Sequence, residues 1–238
     1  FYIVCDFSVC CFSKLTIKIR NVIIKSIGSF YTVISLAYDV TYRHSFLNFA
    51  TVMELLDIVD ESGEPTGTVA DRSVVHASGL LHRTSHVWLL RCRNGRSEVL
   101  LQHRSAAKES CPSCYDISSA GHIPAGCGFV ESALRELHEE LGIEASADEL
   151  IYCGRRRFRY ERVERGLPYI DNQISNIYAL WRDVEPEQMH IQLSELDGVM
   201  WLPFDECVAA VRSNSIGHCI VPEELEILGR ALGLPVNE

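Results

Sequence analysis

Positive charge is the first thing this sequence is short of. Its 238 residues carry 22 Lys and Arg against 32 Asp and Glu, a formal net charge of −10. That balance speaks against a general nucleic-acid-binding surface. Long apolar runs are also missing from the opening segment, where the longest uncharged stretch is Ser26–Tyr38. A spanning helix needs roughly 18 such residues. The same segment lacks the ordered charged start, apolar run and small-residue cleavage site of a secretory signal. No membrane partner is expected. The ten cysteines follow no pairing pattern, which points to a reduced, cytoplasmic setting rather than a disulfide scaffold. What is present is ordinary for a globular protein, with 47% apolar and 23% charged residues.

The charge is unevenly spread. Residues 1–52 hold 5 basic and 2 acidic residues, whereas residues 53–238 hold 17 basic and 30 acidic. Three of the 4 lysines precede Met53, and arginine supplies nearly all the positive charge after it. The expected organisation is therefore a body over 53–238 and a distinct N-terminal extension over 1–52. The extension reads as upstream sequence or a poorly structured tail, with the natural start at Met53.

The most informative stretch is Gly121–Ile143. From Phe129 to Leu141 the apolar residues Val130, Ala133, Leu134, Leu137 and Leu141 recur at three- and four-residue steps, the mark of a helix with one buried face. Gly142 follows as a stop. Glu136, Glu139 and Glu140 share the opposite face, with only Arg135 as a nearby positive charge. Like charges one turn apart destabilise a helix, and two unit charges at 4 Å repel by about 4 kcal/mol at an effective dielectric near 20. Carboxylates gathered in this way suit a hard divalent cation such as Mg²⁺, Ca²⁺ or Mn²⁺. Gly121, Gly126 and Gly128 bracket His122-Ile123-Pro124-Ala125, a tight loop whose backbone can approach a ligand closely.

Loop, helix and stop together resemble the Nudix hydrolase signature, G-x5-E-x7-R-E-U-x-E-E-x-G-U with U a bulky aliphatic residue. Gly121, Arg135, Glu136, Leu137, Glu139, Glu140, Gly142 and Ile143 match in register. The first glutamate of the pattern falls on Cys127. In the family that acid helps to fix the loop and the signature arginine; here Glu131, one turn before Arg135, is expected to take its place. The resemblance runs from Met53 to Phe204, and the opening strands over 53–69 are similar to the subgroup that includes isopentenyl diphosphate isomerase.

This resemblance implies an α/β fold, a Nudix-type α/β/α sandwich with a mixed sheet. It implies a hydrolase that cleaves a diphosphate bond in a nucleotide or other small phosphorylated metabolite with Mg²⁺ or Mn²⁺. Glu139 and Glu140 would be the principal metal ligands, the Gly121 carbonyl and Glu136 would complete the set, and Glu195 would be a further acid. Glu136 would also orient or deprotonate the attacking water, and Arg135 would anchor the glutamates. Such a protein takes a small-molecule partner and is compatible with a homodimer. Two alternatives stay open, an isomerase-like enzyme and a non-catalytic module that senses a nucleotide. Against the isomerase, Ala120 stands where that family places a catalytic cysteine, and Gln173 stands near its second catalytic acid.

The rest of the body fills in around the helix. Leu55–Val59 reads as a strand followed by a turn at 61–65. Asn94-Gly95 marks a hairpin between strands at 87–90 and 98–102. His76, His82 and His86 could form a metal cluster, and the isomerase uses histidines in this region for its metal, but their spacing suits no single regular element. The pair Cys111 and Cys114 lacks the second pair that a structural zinc site needs. Arg104 ends a strand and is a candidate contact for the diphosphate. Six arginines between Arg155 and Arg165 serve either as charged protection of an edge strand or as a landing strip for a polyanion; Arg157 and Arg159 are the substrate candidates on it. Strands are expected at 151–153, 176–181 and 199–203, and helices at 204–212 and 222–232.

Overall fold

In the computed structural model, residues 16–19, 22–25, 54–108, 110–164 and 166–236 are described. The chain divides into two compact units, Phe1–Val52 and Met53–Glu238. In the first, the strands β1 (Thr16–Ile19) and β2 (Val22–Lys25) pair antiparallel. The remainder of that segment lies outside the described residues.

The second unit is built on a mixed sheet. Its main path runs β11 (Leu196–Pro203), β6 (Arg96–Arg104), β5 (His82–Arg93), β10 (Leu167–Trp181) and β9 (Ile151–Glu164). The short strands β7 (Tyr115–Asp116) and β8 (Ser119–His122) pair with β6 and β5. β10 runs parallel to β5, and the other pairings are antiparallel. The β5–β6 hairpin turns on Asn94 (φ 53°) and Gly95 (φ 74°), the left-handed pair that a two-residue turn requires. A separate hairpin joins β3 (Leu55–Val59) and β4 (Pro65–Asp71).

Alternation along β5 makes both faces of the sheet apolar. Trp88 and Leu90 pack with Phe204, Val211, Leu225 and Leu228, which belong to helices α3 (Phe204–Ser213) and α4 (Pro222–Leu232). Val87 and Leu89 face the other way and pack with Ala133, Leu137 and Leu141 of helix α2 (Phe129–Leu141). Helices thus cover both faces of one sheet, the expected three-layer arrangement. The sequence reading did not anticipate helix α1 (Arg72–Ser78), capped by Asp71 and closed by Gly79 in the left-handed region.

Candidate active site

Helix α2 carries the acidic face, and a strand edge lies against it. Glu136 is packed so closely on β8 that a Cβ on Gly121 would come within 2.2 Å of its carboxyl carbon. Glu140 is 7% exposed, and its Oε2 accepts the Ala120 N–H at 3.3 Å. Arg135 spans the group. It donates to Glu136 at 2.6 Å, to Glu139 at 3.0 Å and to the His122 carbonyl at 3.4 Å. One guanidinium cannot neutralise three carboxylates. Burial pushes the Glu140 carboxyl up to about 7, and repulsion from Glu136 adds to that against the Ser119 hydroxyl. Burial likewise raises Glu136, with Arg135 opposing. The donor set is oxygen-rich, under-compensated and close together, which fits a hard divalent cation.

A second cluster lies near the first. His76 on α1, His82 on β5 and His122 on β8 hold one ring nitrogen each within 4.8 Å of one another. His82 Nδ1 donates to the Leu80 carbonyl at 3.1 Å, so Nε2 carries the lone pair; it is buried without a hydrogen-bond partner. Burial lowers His76 to about 3 and His82 to about 4, with repulsion from His122 adding to both. His76 and His82 are thus held in the neutral form in which imidazole binds a transition metal, and His76 Nε2 shares a hydrogen bond with His122 Nε2 at 3.1 Å. His86, grouped with His76 and His82 in the sequence reading, is elsewhere. Its Nδ1 is 2.9 Å from Glu224 Oε1.

The NUDIX domain family matches residues 82–219, more than half of the chain. This chain belongs to the Nudix family. Among curated relatives, Nudix hydrolase 3 of Arabidopsis thaliana is 37% identical over 157 residues, 64% of this chain but only 20% of that protein. An uncharacterized Nudix hydrolase of Clostridium acetobutylicum is 34% identical over 153 residues, 64% of this chain and 71% of that one. An isopentenyl-diphosphate Delta-isomerase of Escherichia coli is 29% identical over 123 residues, 51% of this chain and 63% of that one. The crystal structure of DR0079 from Deinococcus radiodurans shares the fold, with a TM-score of 0.54 at 20% identity over 73% of this chain and 98% of that one.

Within this Nudix fold, the structure unites the signature residues Gly121, Arg135, Glu136, Glu139 and Glu140 and redistributes several others. Glu195 is ion-paired with Lys108. Arg104 is held by the Ser110 carbonyl at 2.9 Å, the Cys111 carbonyl at 3.3 Å and Asp116 at 3.1 Å. It therefore braces the loop before β7. Arg157 pairs with Glu61 and Asn172, and Arg159 pairs with Glu161. Register places these two beside Ile174 and Asn172, out of phase with Gln173, which pairs with His82. Arg157 and Arg159 thus belong to the sheet face that α2 covers, opposite the histidines. Arg156 and Arg162 are in phase with Gln173. Arg156 is buried and ion-paired with Glu224 at 3.3 Å through Nη2, while its Nε and Nη1 lack a hydrogen-bond partner.

One further expectation changes. Glu131 does not anchor Arg135; it reaches back to the Gly128 N–H at 3.4 Å as a helix cap. Cys111 and Cys114 are free thiols, as are the other five described cysteines. Among the described residues, no helix is long and apolar enough to cross a membrane.

Proposed function

We propose that the chain is a divalent-metal-dependent hydrolase that splits a diphosphate bond in a nucleotide or another small phosphorylated metabolite. The observation that carries this reading is the stack of Glu136, Glu139 and Glu140 on the Gly121 edge, with Arg135 as the sole cation hydrogen-bonded within it among the described residues.

Glu139 and Glu140 would hold Mg²⁺ or Mn²⁺, with Glu136 and the Gly121 carbonyl beside them. When bound, the cation neutralises phosphate charge and lowers the pKa of a bound water. Glu136 is the residue placed to accept a proton from the attacking water, since burial already raises its proton affinity. Arg135 keeps the carboxylates in register from the helix side. Glu195, ion-paired with Lys108, would be a further acid for the cation. Arg104 acts here by holding its loop, and Arg157 and Arg159, on the sheet face that α2 covers, are the substrate candidates.

The histidine cluster favours a second metal position and, with it, the isomerase-like alternative. Ala120 and Gln173 oppose that chemistry, because neither side chain can donate or accept a proton as an acid would. Screening the purified chain with Mg²⁺ or Mn²⁺ against nucleoside diphosphate sugars, dinucleoside polyphosphates, ADP-ribose, capped nucleotides and isoprenoid diphosphates tests both. Phosphate-bearing products that vanish in a Glu139→Gln, Glu140→Gln double variant support hydrolysis. Isomerised isoprenoid diphosphate without hydrolysis would replace the reading, and binding without turnover would make the chain a sensor.

A further inference from the structure

The signature loop is fixed by residues that lie outside the signature. Asp57 on β3 places Oδ2 2.9 Å from the Gly126 N–H and 3.0 Å from Arg83 Nη2. The same Arg83 nitrogen donates to the Cys127 carbonyl at 3.1 Å. Both residues, Asp57 and Arg83, are 8% exposed. The Arg83 guanidinium also lies 5.4 Å from the Phe129 ring centroid, at the first turn of α2. Backbone bonds flank this clamp, from Ala125 N–H to the Leu55 carbonyl at 2.8 Å and from Ile123 N–H to the Arg83 carbonyl at 3.1 Å.

The chemistry explains why a charged pair sits here. Gly126 turns the loop with φ +82°, and the turn sends the N–H of residue 126 and the carbonyl of 127 inward. Buried backbone groups need partners. A carboxylate satisfies the N–H, a guanidinium satisfies the carbonyl, and each neutralises the other. The loop leads from Gly121 to α2, so its position sets the distance between the strand edge and the carboxylates. The Nudix pattern carries an acid at position 127, and here that position is Cys127.

We propose that Asp57 and Arg83 are positioning residues that hold the 123–128 loop, and through it the metal-binding carboxylates, in place of an acid at position 127. The proposal rests on the metal reading above.

The test uses the full chain stripped of metal. Mn²⁺ binding is read by electron paramagnetic resonance, and amide exchange over residues 123–129 by mass spectrometry. Asp57→Asn keeps the shape and an acceptor but removes the charge. It should retain a cooperative melt, weaken Mn²⁺ binding about tenfold or more and speed exchange of the loop amides. Adding Cys127→Glu to Asp57→Asn should restore most of the Mn²⁺ affinity, a rescue that a merely structural role for Asp57 would not give. A folded Asp57→Asn variant within about twofold of the parent in Mn²⁺ affinity, or with unchanged loop exchange, overturns the proposal. If Asp57→Asn fails to melt cooperatively, Arg83→Lys decides, since it keeps the charge and loses the fork that bridges to the Cys127 carbonyl. Its Mn²⁺ affinity should also fall, and parent-like affinity refutes the clamp. A Glu139→Gln, Glu140→Gln variant that binds Mn²⁺ like the parent would instead sink the metal reading; loop exchange alone then judges the clamp.

Discussion

Gly121 and Glu136 occupy space that a single added methyl group would contest, because a Cβ at residue 121 would stand 2.2 Å from the glutamate's carboxyl carbon. Gly121→Ala must therefore displace Glu136 or the strand edge. Overpacking of this sort typically costs about 1–3 kcal/mol. Turnover should fall further than stability does, because the displaced group is the one placed to handle the water proton. Parent-like kinetics in a folded Gly121→Ala protein would remove Glu136 from that role.

Glu140 sets activity against stability. Its carboxylate is buried beside Glu136 and is pushed up to about 7, first by burial. Glu140→Gln should cut metal-dependent turnover by orders of magnitude. In the presence of a chelator its melting temperature should equal or exceed that of the parent, since an uncompensated buried charge has gone. A large drop in the metal-free melting temperature would mean that Glu140 serves the fold.

The acid limb of stability should trace to Glu224. This carboxylate, 1% exposed, meets His86, Trp88 and Arg156 at 2.9, 3.1 and 3.3 Å. Burial pushes it up, but those partners outweigh burial and leave it below its ordinary value of 4.5. A depressed folded-state value gives stability that is present above pH 4.5 and lost as pH falls through the folded value. The parent should lose melting temperature steeply below pH 4.5. Glu224→Gln should start lower, because removing one partner of a buried pair costs about 3–5 kcal/mol, and its acid slope should be shallower. Equal slopes would place the titrating group elsewhere.

Removing residues 1–52 is expected to leave melting temperature and turnover unchanged, because both apolar layers and the acidic edge arise after Met53. Calorimetry of the truncated chain checks this. Aggregation, or loss of the cooperative transition, would show that the segment supports the body.

Much of this was legible beforehand where the signal is local. Helix α2 announces itself through its leucines and Gly142, and the β5–β6 turn through Asn94-Gly95. Helix α1 escaped notice because seven residues give too little periodicity to see. The start of β5 was hidden for a different reason. His82, Arg83, Thr84 and Ser85 are polar, yet each is buried; His82 bonds the nearby Leu80 carbonyl, and the other three are served by the distant Asp57, Ser175 and Phe129. The histidine cluster needed His122, which only β8 pairing brings beside β5. Likewise, sequence spacing showed six arginines but not their phase against His82, which is fixed by the β9–β10 register.

Strand β5 gives neighbouring residues separate tasks. His82 turns to the imidazole cluster, Arg83 to the signature loop, Val87 to one apolar layer and Trp88 to the other. Loss or gain of one codon between His82 and Trp88 would exchange every one of these assignments at once. Reading-frame-preserving insertions should thus be purged from this strand, while the exposed turn at Asn94-Gly95 can lengthen with little penalty. A library of single-residue insertions, sorted for folded protein, would draw that contrast directly along the chain.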